Sequence, residues 1–400
     1  MACRAVNAAR QATTHPPPAP LLAHCEVMDV PAEAQVDLDV VRDNVTGLRK
    51  HAVTADLMAV VKSDAYGHGM IPVAKAALAG GAGWLGVVRV SEALALRDAG
   101  LTAPVLCLMS VPGGPHEEAI RRDVDLAASS AGIVAELAAA AQRAGRPARV
   151  HLKVDTGMSH AGATMSDWPG VVAAALAAEA AGHVAIVGIW SHLACADMPG
   201  HASIDEQLKV FREAIAVAEA AGARPQIRHL ANTPATLTLP QTRFDLVRCG
   251  GGVVGLPTLP GPMPGWLRPA MTVRARLVQV KQVPPGTGVS AGRQYVTSSP
   301  STLGLVPLGY AEGVPRDASG LVQVYARGRR WFIAGTVSMN QFVMDFGDGP
   351  AAEGDEVLLF GPGDDGEPTA QDWAGALNTV SYEIATRFGG RLPRSYLGVA

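Results

Sequence analysis

From residue 58 onward the apolar positions cluster into short runs, separated by alanine-rich, helix-permissive stretches. Eight such runs occur, at 58–62, 84–88, 105–109, 124–128, 150–155, 184–191, 227–231 and 246–249. They are solidly apolar and lack strict alternation, as expected of parallel strands buried on both faces. The intervening segments carry helix punctuation: Ser91 can cap a helix that Gly100 ends. A longer helix is predicted from Ser203 to Gly222. Eight strands alternating with helices over about 200 residues predict a (β/α)8 barrel. The pattern alone also admits a doubly wound sheet.

The texture changes beyond Leu256. A Pro/Gly-rich stretch runs from Gly255 to Gly265, and short alternating strands follow at 271–283, 304–308, 321–324, 331–337, 342–346 and 356–360. This predicts a mainly β C-terminal domain, closed by a short helix carrying Tyr382. The expected boundaries are a tail over 1–30, a barrel over 31–262 and a β domain over 263–400. The tail is rich in Ala, Pro and Arg and has no periodicity, so it is expected to be extended and mobile.

Composition narrows the function classes. The 400 residues carry 33 basic and 36 acidic side chains, a net charge of −3, which gives no field for nucleic acid or an anionic membrane. The longest apolar stretch, 171–190, is broken by Glu179 and His183 and reads as a helix followed by a strand, not a membrane span. No apolar run follows Arg4 and Arg10, so no signal peptide is expected. Five scattered cysteines, at 3, 25, 107, 195 and 249, lack CxxC spacing. That argues against a disulfide framework or a zinc site and fits a cytoplasmic protein. No metal ligand set is expected.

Function in a barrel of this kind gathers at the C-terminal ends of the strands. Those ends read Lys62-Ser-Asp-Ala-Tyr66-Gly-His-Gly69, Lys153-Val-Asp155-Thr-Gly-Met158, Ser191-His192, Ala231-Asn-Thr233 and Arg248-Cys-Gly250-Gly-Gly252. Thr233 with the Gly250 and Gly251 amides, after strands seven and eight, makes a phosphate cradle. Lys62 follows an apolar run; burial disfavours its ammonium and makes it a nucleophile for carbonyl compounds. A lysine imine beside a phosphate site points to pyridoxal 5'-phosphate.

The segment 59–69 resembles the cofactor-attachment signature of the alanine racemases. Further blocks match in order: His151-Leu-Lys-Val-Asp-Thr-Gly-Met158, Trp190-Ser-His-Leu-Ala-Cys-Ala-Asp197, Phe244-Asp-Leu-Val-Arg-Cys-Gly250, Leu308-Gly-Tyr310-Ala-Glu-Gly-Val-Pro-Arg316, Val337-Ser-Met339-Asn-Gln341 and Arg391-Leu-Pro-Arg394. The resemblance covers residues 34–397. It implies a pyridoxal-phosphate racemase interconverting L- and D-alanine for cell-wall peptidoglycan. Lys62 would hold the cofactor and act as base on one face of the substrate carbon. Tyr310 would be the opposite base, donated across a homodimer. Arg248 would sit against the pyridine nitrogen, supported by His192. Tyr66, Thr233, Gly250 and Gly251 would bind the phosphate, and the Met339 N–H the substrate carboxylate.

The resemblance also has departures. His160 stands where the family has an arginine for the substrate carboxylate, and histidine cannot form a bidentate pair. That arginine is also the usual partner of the family's carbamylated lysine, here Lys153, so its loss argues against carbamylation. Val254, Ala291 and Gly390 replace frequent tyrosines, and Asn340 and Glu312 replace aspartates. Two alternatives remain: a racemase for another or several amino acids, or a cofactor-binding protein without turnover. The β domain that supplies Tyr310 argues against the second. A decarboxylase of similar build would need a cysteine beyond Cys249, and there is none.

Overall fold

The computed structural model describes residues 31–398, and the tail expected over 1–30 lies outside them. The first described strand, β1 (Ala32–Asp37), precedes a helix over Leu38–Ala52. Eight strands follow: β2 (Asp56–Val60), β3 (Trp84–Val87), β4 (Val105–Cys107), β5 (Val124–Ala128), β6 (Ala148–Lys153), β7 (Val184–Trp190), β8 (Ile227–His229) and β9 (Leu246–Cys249). They form one parallel sheet in the order β8-β7-β6-β5-β4-β3-β2-β9. Backbone hydrogen bonds from Asp245 N to Arg228 O (3.0 Å) and from Arg248 N to Ala231 O (2.9 Å) join the two outer strands. The expected (β/α)8 barrel is therefore what forms.

Side-chain parity within the strands sorts the barrel. Met58, Val60, Trp84, Leu106, Val187 and Leu246 form a small cluster of their own. Their strand neighbours Leu57, Ala59, Leu85, Val105 and Val247 pack into the large cluster shared with the helices. Alternation by two along a strand thus separates a barrel-interior face from a helix-facing one. The helix-facing side is largely apolar, and the interior side is apolar on β2, β3 and β4 but carries buried Asp125, His151, His229 and Arg248 on β5, β6, β8 and β9.

One cap differs from expectation. The helix Val90–Asp98 starts after Arg89, and Glu92, not Ser91, holds its first turn by accepting from Val88 N and Arg89 N, both at 3.0 Å. Gly100 does follow the helix, with φ +79.

The second sheet has nine strands and includes β1, which pairs antiparallel with Met271–Arg276 and parallel with Arg394–Leu397. The first strand after the tail therefore belongs to the β sheet and not to the barrel. Its sequence alternates, with Ala32, Ala34 and Val36 buried. The run expected over 271–283 is two strands, Met271–Arg276 and Gln279–Val283, at opposite parts of that sheet.

Candidate active site

Lys62 lies two residues beyond the end of the barrel strand β2. The next four residues, Ser63 to Tyr66, all have left-handed φ, between +52 and +56. Such a turn costs non-glycine residues roughly 1–2 kcal/mol each, so its surroundings must hold it. Ser63 N donates to Glu92 Oε1 (2.8 Å) and Met70 N to Asp64 Oδ1 (2.7 Å). Arg394, from the last strand, pairs with Asp64 and donates to Gly67 O at 3.0 Å. The reversed turn places Lys62 and Tyr66 on the wall of one cavity of 960 Å³.

The same cavity is lined by Lys153, His160, Trp190, His192, Thr233, Arg248, Gly250, Gly251 and Tyr382. Every cofactor-binding position expected from the sequence is therefore brought together, along with His160. Tyr310 and Met339 do not line it. They lie exposed, at 45% and 56%, on adjoining loops of the β domain. Tyr310 N donates to Ser338 O (3.1 Å) and Ala311 N to Met339 O (2.9 Å), so the two residues are presented side by side. The departures Glu312 and Asn340 brace these loops: Asn340 Nδ2 donates to Glu312 Oε1 (2.8 Å), and Gly309 N to Glu312 Oε2 (3.0 Å). Val254 is buried but lines a separate cavity. Ala291 and Gly390 are exposed.

The cavity carries an excess of positive charge. Burial lowers the Lys62 ammonium below the ordinary lysine value, partly opposed by Glu92. Burial, then repulsion by Arg248, pulls Lys153 down to about 8. Arg248 is fully enclosed and lowered by burial to about 9, so it stays charged at neutral pH. Its Nη2 reaches Ser191 O (2.7 Å) and His192 Nδ1 (3.2 Å). Burial, then Arg248 and the two lysines, push His192 down to about 3, so its Nδ1 accepts that bond. Lys153 Nζ and the Arg248 guanidinium sit over Trp190, 4.5 and 4.8 Å from the ring centre. Asp155 is turned to its own loop, where its Oδ1 accepts from Gly157, Met158 and Ser159 N at 2.9–3.1 Å. That loop carries His160, which lies against His192 with ring centroids 6.3 Å apart. Such a cavity favours an anionic occupant.

At the other end lies the glycine cradle. Gly250 N faces Thr233 Oγ1 at 3.2 Å. A Cβ on Gly250 would lie 2.0 Å from the Tyr66 hydroxyl, and one on Gly251 2.4 Å from that of Tyr382. The two tyrosines meet edge to face, 5.6 Å between centroids. Only glycine lets the backbone amides and both phenols converge. Gly250→Ala is expected to destabilise the fold by about 1–3 kcal/mol through overpacking. A melting curve would read this, and an unchanged midpoint would mean that Tyr66 is free to move away.

Of the lining residues named above, two carried no assigned role from the sequence. Tyr382 sits on a helix of the β domain, and no local pattern ties that helix to the barrel rim. Trp190 looks like an ordinary core aromatic, and only the two cations above its ring mark it out.

Comparison with known proteins places this geometry. Residues 36–258 match the family described as "Alanine racemase, N-terminal domain", and residues 270–396 match "Alanine racemase, C-terminal domain". The alanine racemase of Salinispora arenicola is 55% identical over 368 residues, covering 92% of this chain and 98% of that protein. The one from Frankia casuarinae is 54% identical over 372 residues, 92% and 97% of the two chains. Among solved structures, the alanine racemase of a D-cycloserine-producing Streptomyces lavendulae superposes with a TM-score of 0.90 at 50% identity, over 93% of this chain and 98% of that one. That of Streptomyces coelicolor gives 0.90 at 51% identity, over 92% and 98%. Sharing both domains and about half its residues with these enzymes over nearly its whole length, the chain belongs to the alanine racemase family.

Proposed function

We propose that this protein is a cytoplasmic, pyridoxal-phosphate-dependent alanine racemase, working as a homodimer and supplying D-alanine for peptidoglycan. The observation that carries the reading is the convergence of Lys62, Arg248 and the Gly250–Gly251 cradle on one cationic cavity. These residues fit the cofactor. The cradle offers backbone amides with Thr233, Tyr66 and Tyr382 to a phosphate. The Lys62 amine, lowered by burial, suits covalent attachment to an aldehyde. When bound, pyridoxal phosphate withdraws electrons from the substrate Cα and makes its proton removable.

The chain's own residues do the rest. Lys62 Nζ takes or gives the Cα proton on one face. Tyr310 Oη of the partner subunit does so on the other, because inversion needs a proton to leave one face and arrive at the opposite one. The exposure of Tyr310 and Met339, and their absence from their own chain's cavity lining, support a site completed across subunits. Arg248, always a donor, discourages protonation of the pyridine nitrogen. That moderates the electron sink and limits side reactions. His192 holds Arg248 in place, and the Met339 N–H meets the substrate carboxylate.

His160 is proposed to assist with that carboxylate. Burial, and then repulsion from Lys153, lower its pKa below 6.5, against an opposing pull from Asp155. Its cationic form is therefore present at acid pH and lost as pH rises through a midpoint below 6.5. KM for alanine is expected to rise across that window and level off above about pH 7. His160→Arg, permanently charged, should flatten the profile and lower KM at neutral pH. A KM indifferent to both would remove His160 from the site.

The function is tested by incubating the protein with a panel of L-amino acids in deuterated water. Alanine should exchange its α-proton and yield the D-enantiomer. Faster exchange of another amino acid would reassign the substrate, and no exchange with any would sink the reading.

A further inference from the structure

An unbroken line of buried polar side chains runs from Arg248 through the barrel interior to Asp125. Arg248 Nη1 is 3.2 Å from His229 Nδ1. His229 Nε2 is 2.9 Å from His151 Nδ1, and His151 Nε2 is 3.1 Å from Asp125 Oδ2. Arg149 forks onto the same carboxylate, with Nε at 2.7 Å from Oδ1 and Nη2 at 3.1 Å from Oδ2. Asp125, His151, His229 and Arg248 are all less than 5% exposed, whereas Arg149 reaches solvent.

The end groups fix the direction of every bond. A guanidinium only donates, so His229 Nδ1 must carry its lone pair and Nε2 its proton. That proton goes to His151 Nδ1, which must be bare. His151 therefore carries its own proton on Nε2 and donates it to the Asp125 carboxylate. Any other assignment sets two donors or two lone pairs face to face in a dry interior, which is costly. Ring flips that would break the order are blocked by indoles. Trp190 stacks on His229 with 5.6 Å between centroids and 4° between planes, and Trp84 meets His151 edge-on at 5.7 Å.

Among the described residues, Arg248 has no carboxylate among its own hydrogen-bond partners: they are the oxygens of Ser191, His229 and Leu230 and the rings of His192 and His229. We infer that Asp125 is a positioning residue for the cofactor site, anchoring Arg248 through His151 and His229 and compensating its charge from the far end of the barrel. Polarised hydrogen-bond chains in a low-dielectric interior transmit such an influence. The inference rests on the proposed cofactor for its purpose, but the relay itself does not.

Two arms test it. In the cofactor-free protein with ¹⁵N-labelled histidine rings, two-bond nitrogen–proton correlations should show both His151 and His229 protonated on Nε2. A coupling across the Nε2–H···Nδ1 bond should join them. A proton on Nδ1 of either ring overturns the relay. In the loaded protein the readout is the absorbance band and affinity of bound pyridoxal phosphate. Asp125→Asn removes the anion at constant shape, while Arg149→Gln removes the cation that competes for it, at a half-exposed position. The band should shift in opposite directions in the two variants, and Asp125→Asn should weaken cofactor binding by about tenfold. A purely structural role would shift neither, or both alike, and either result overturns the inference. If Asp125→Asn does not fold, the ring tautomers and the Arg149→Gln band decide. A chain that takes up no pyridoxal phosphate overturns the proposed function, while the tautomers still decide the relay.

Discussion

Lys62→Ala is expected to fold, to take up pyridoxal phosphate only reversibly, and to lose racemisation by about 10⁴-fold or more, since one amine is both nucleophile and base. The wild-type protein should be yellow. Borohydride should bleach it and leave a pyridoxyl adduct on Lys62, found by peptide mass mapping. The physical basis is local. Lys62 stands two residues beyond the apolar β2, its ammonium is disfavoured by burial, and a left-handed turn holds it. The strain of that turn persists because Glu92, Met70 and Arg394 hold it from three separate elements, Met70 N by donating to Asp64 Oδ1. An adduct on Lys153, whose amine is lowered to about 8 in the same cavity, would move the attachment point and overturn the assignment.

Tyr310→Phe should retain cofactor and fold yet lose about 10²–10⁴-fold in activity, the range for removing a general acid–base group. Racemisation should fall equally in both directions, because the equilibrium constant between the enantiomers is one, but proton transfer at the face served by Lys62 survives for the enantiomer that presents its α-proton there. Exchange of the α-proton without inversion would be the signature. Mixing Lys62→Ala and Tyr310→Phe chains tests where the second base comes from. A hybrid dimer would carry one site with both bases intact, so activity should return. Subunit exchange without recovery would mean that Lys62 and Tyr310 act within one chain. The single-chain cavity, lined by neither Tyr310 nor Met339, makes recovery the expected result.

Much of the architecture is legible in residue order. Eight apolar runs separated by helix-permissive stretches predict the barrel, and the shift to short alternating strands near residue 270 marks the second sheet. The strand-end residues Lys62, His192, Thr233, Arg248 and Gly250 are legible too, because strand ends in a parallel barrel share one rim. Less legible are the residues whose partners lie far along the chain. β1 is a six-residue alternating strand whose sheet partners sit more than 200 positions away. Tyr382 enters the site from the β domain. Ser91 reads as a cap, whereas Glu92 holds that helix start and also accepts from Ser63 N in the turn that carries Lys62, a contact that no local pattern shows.

By itself, then, the sequence determined the order of elements, the chemistry available at the barrel rim and the family to which these motifs bear resemblance. These follow from short-range rules: hydrophobic runs, turn residues and motif spacing. Tertiary structure alone decided which groups share a dry volume. His151 and His229 are 78 positions apart, and each looks like an ordinary strand residue. Closure of the barrel sets them in line with Asp125 and Arg248, and exclusion of water then fixes where each proton sits. The same closure sets the charges: Lys153, Arg248 and His192 are ordinary side chains in the sequence, and burial beside one another shifts all three. Desolvation and mutual repulsion depend on distances that the order of residues does not contain.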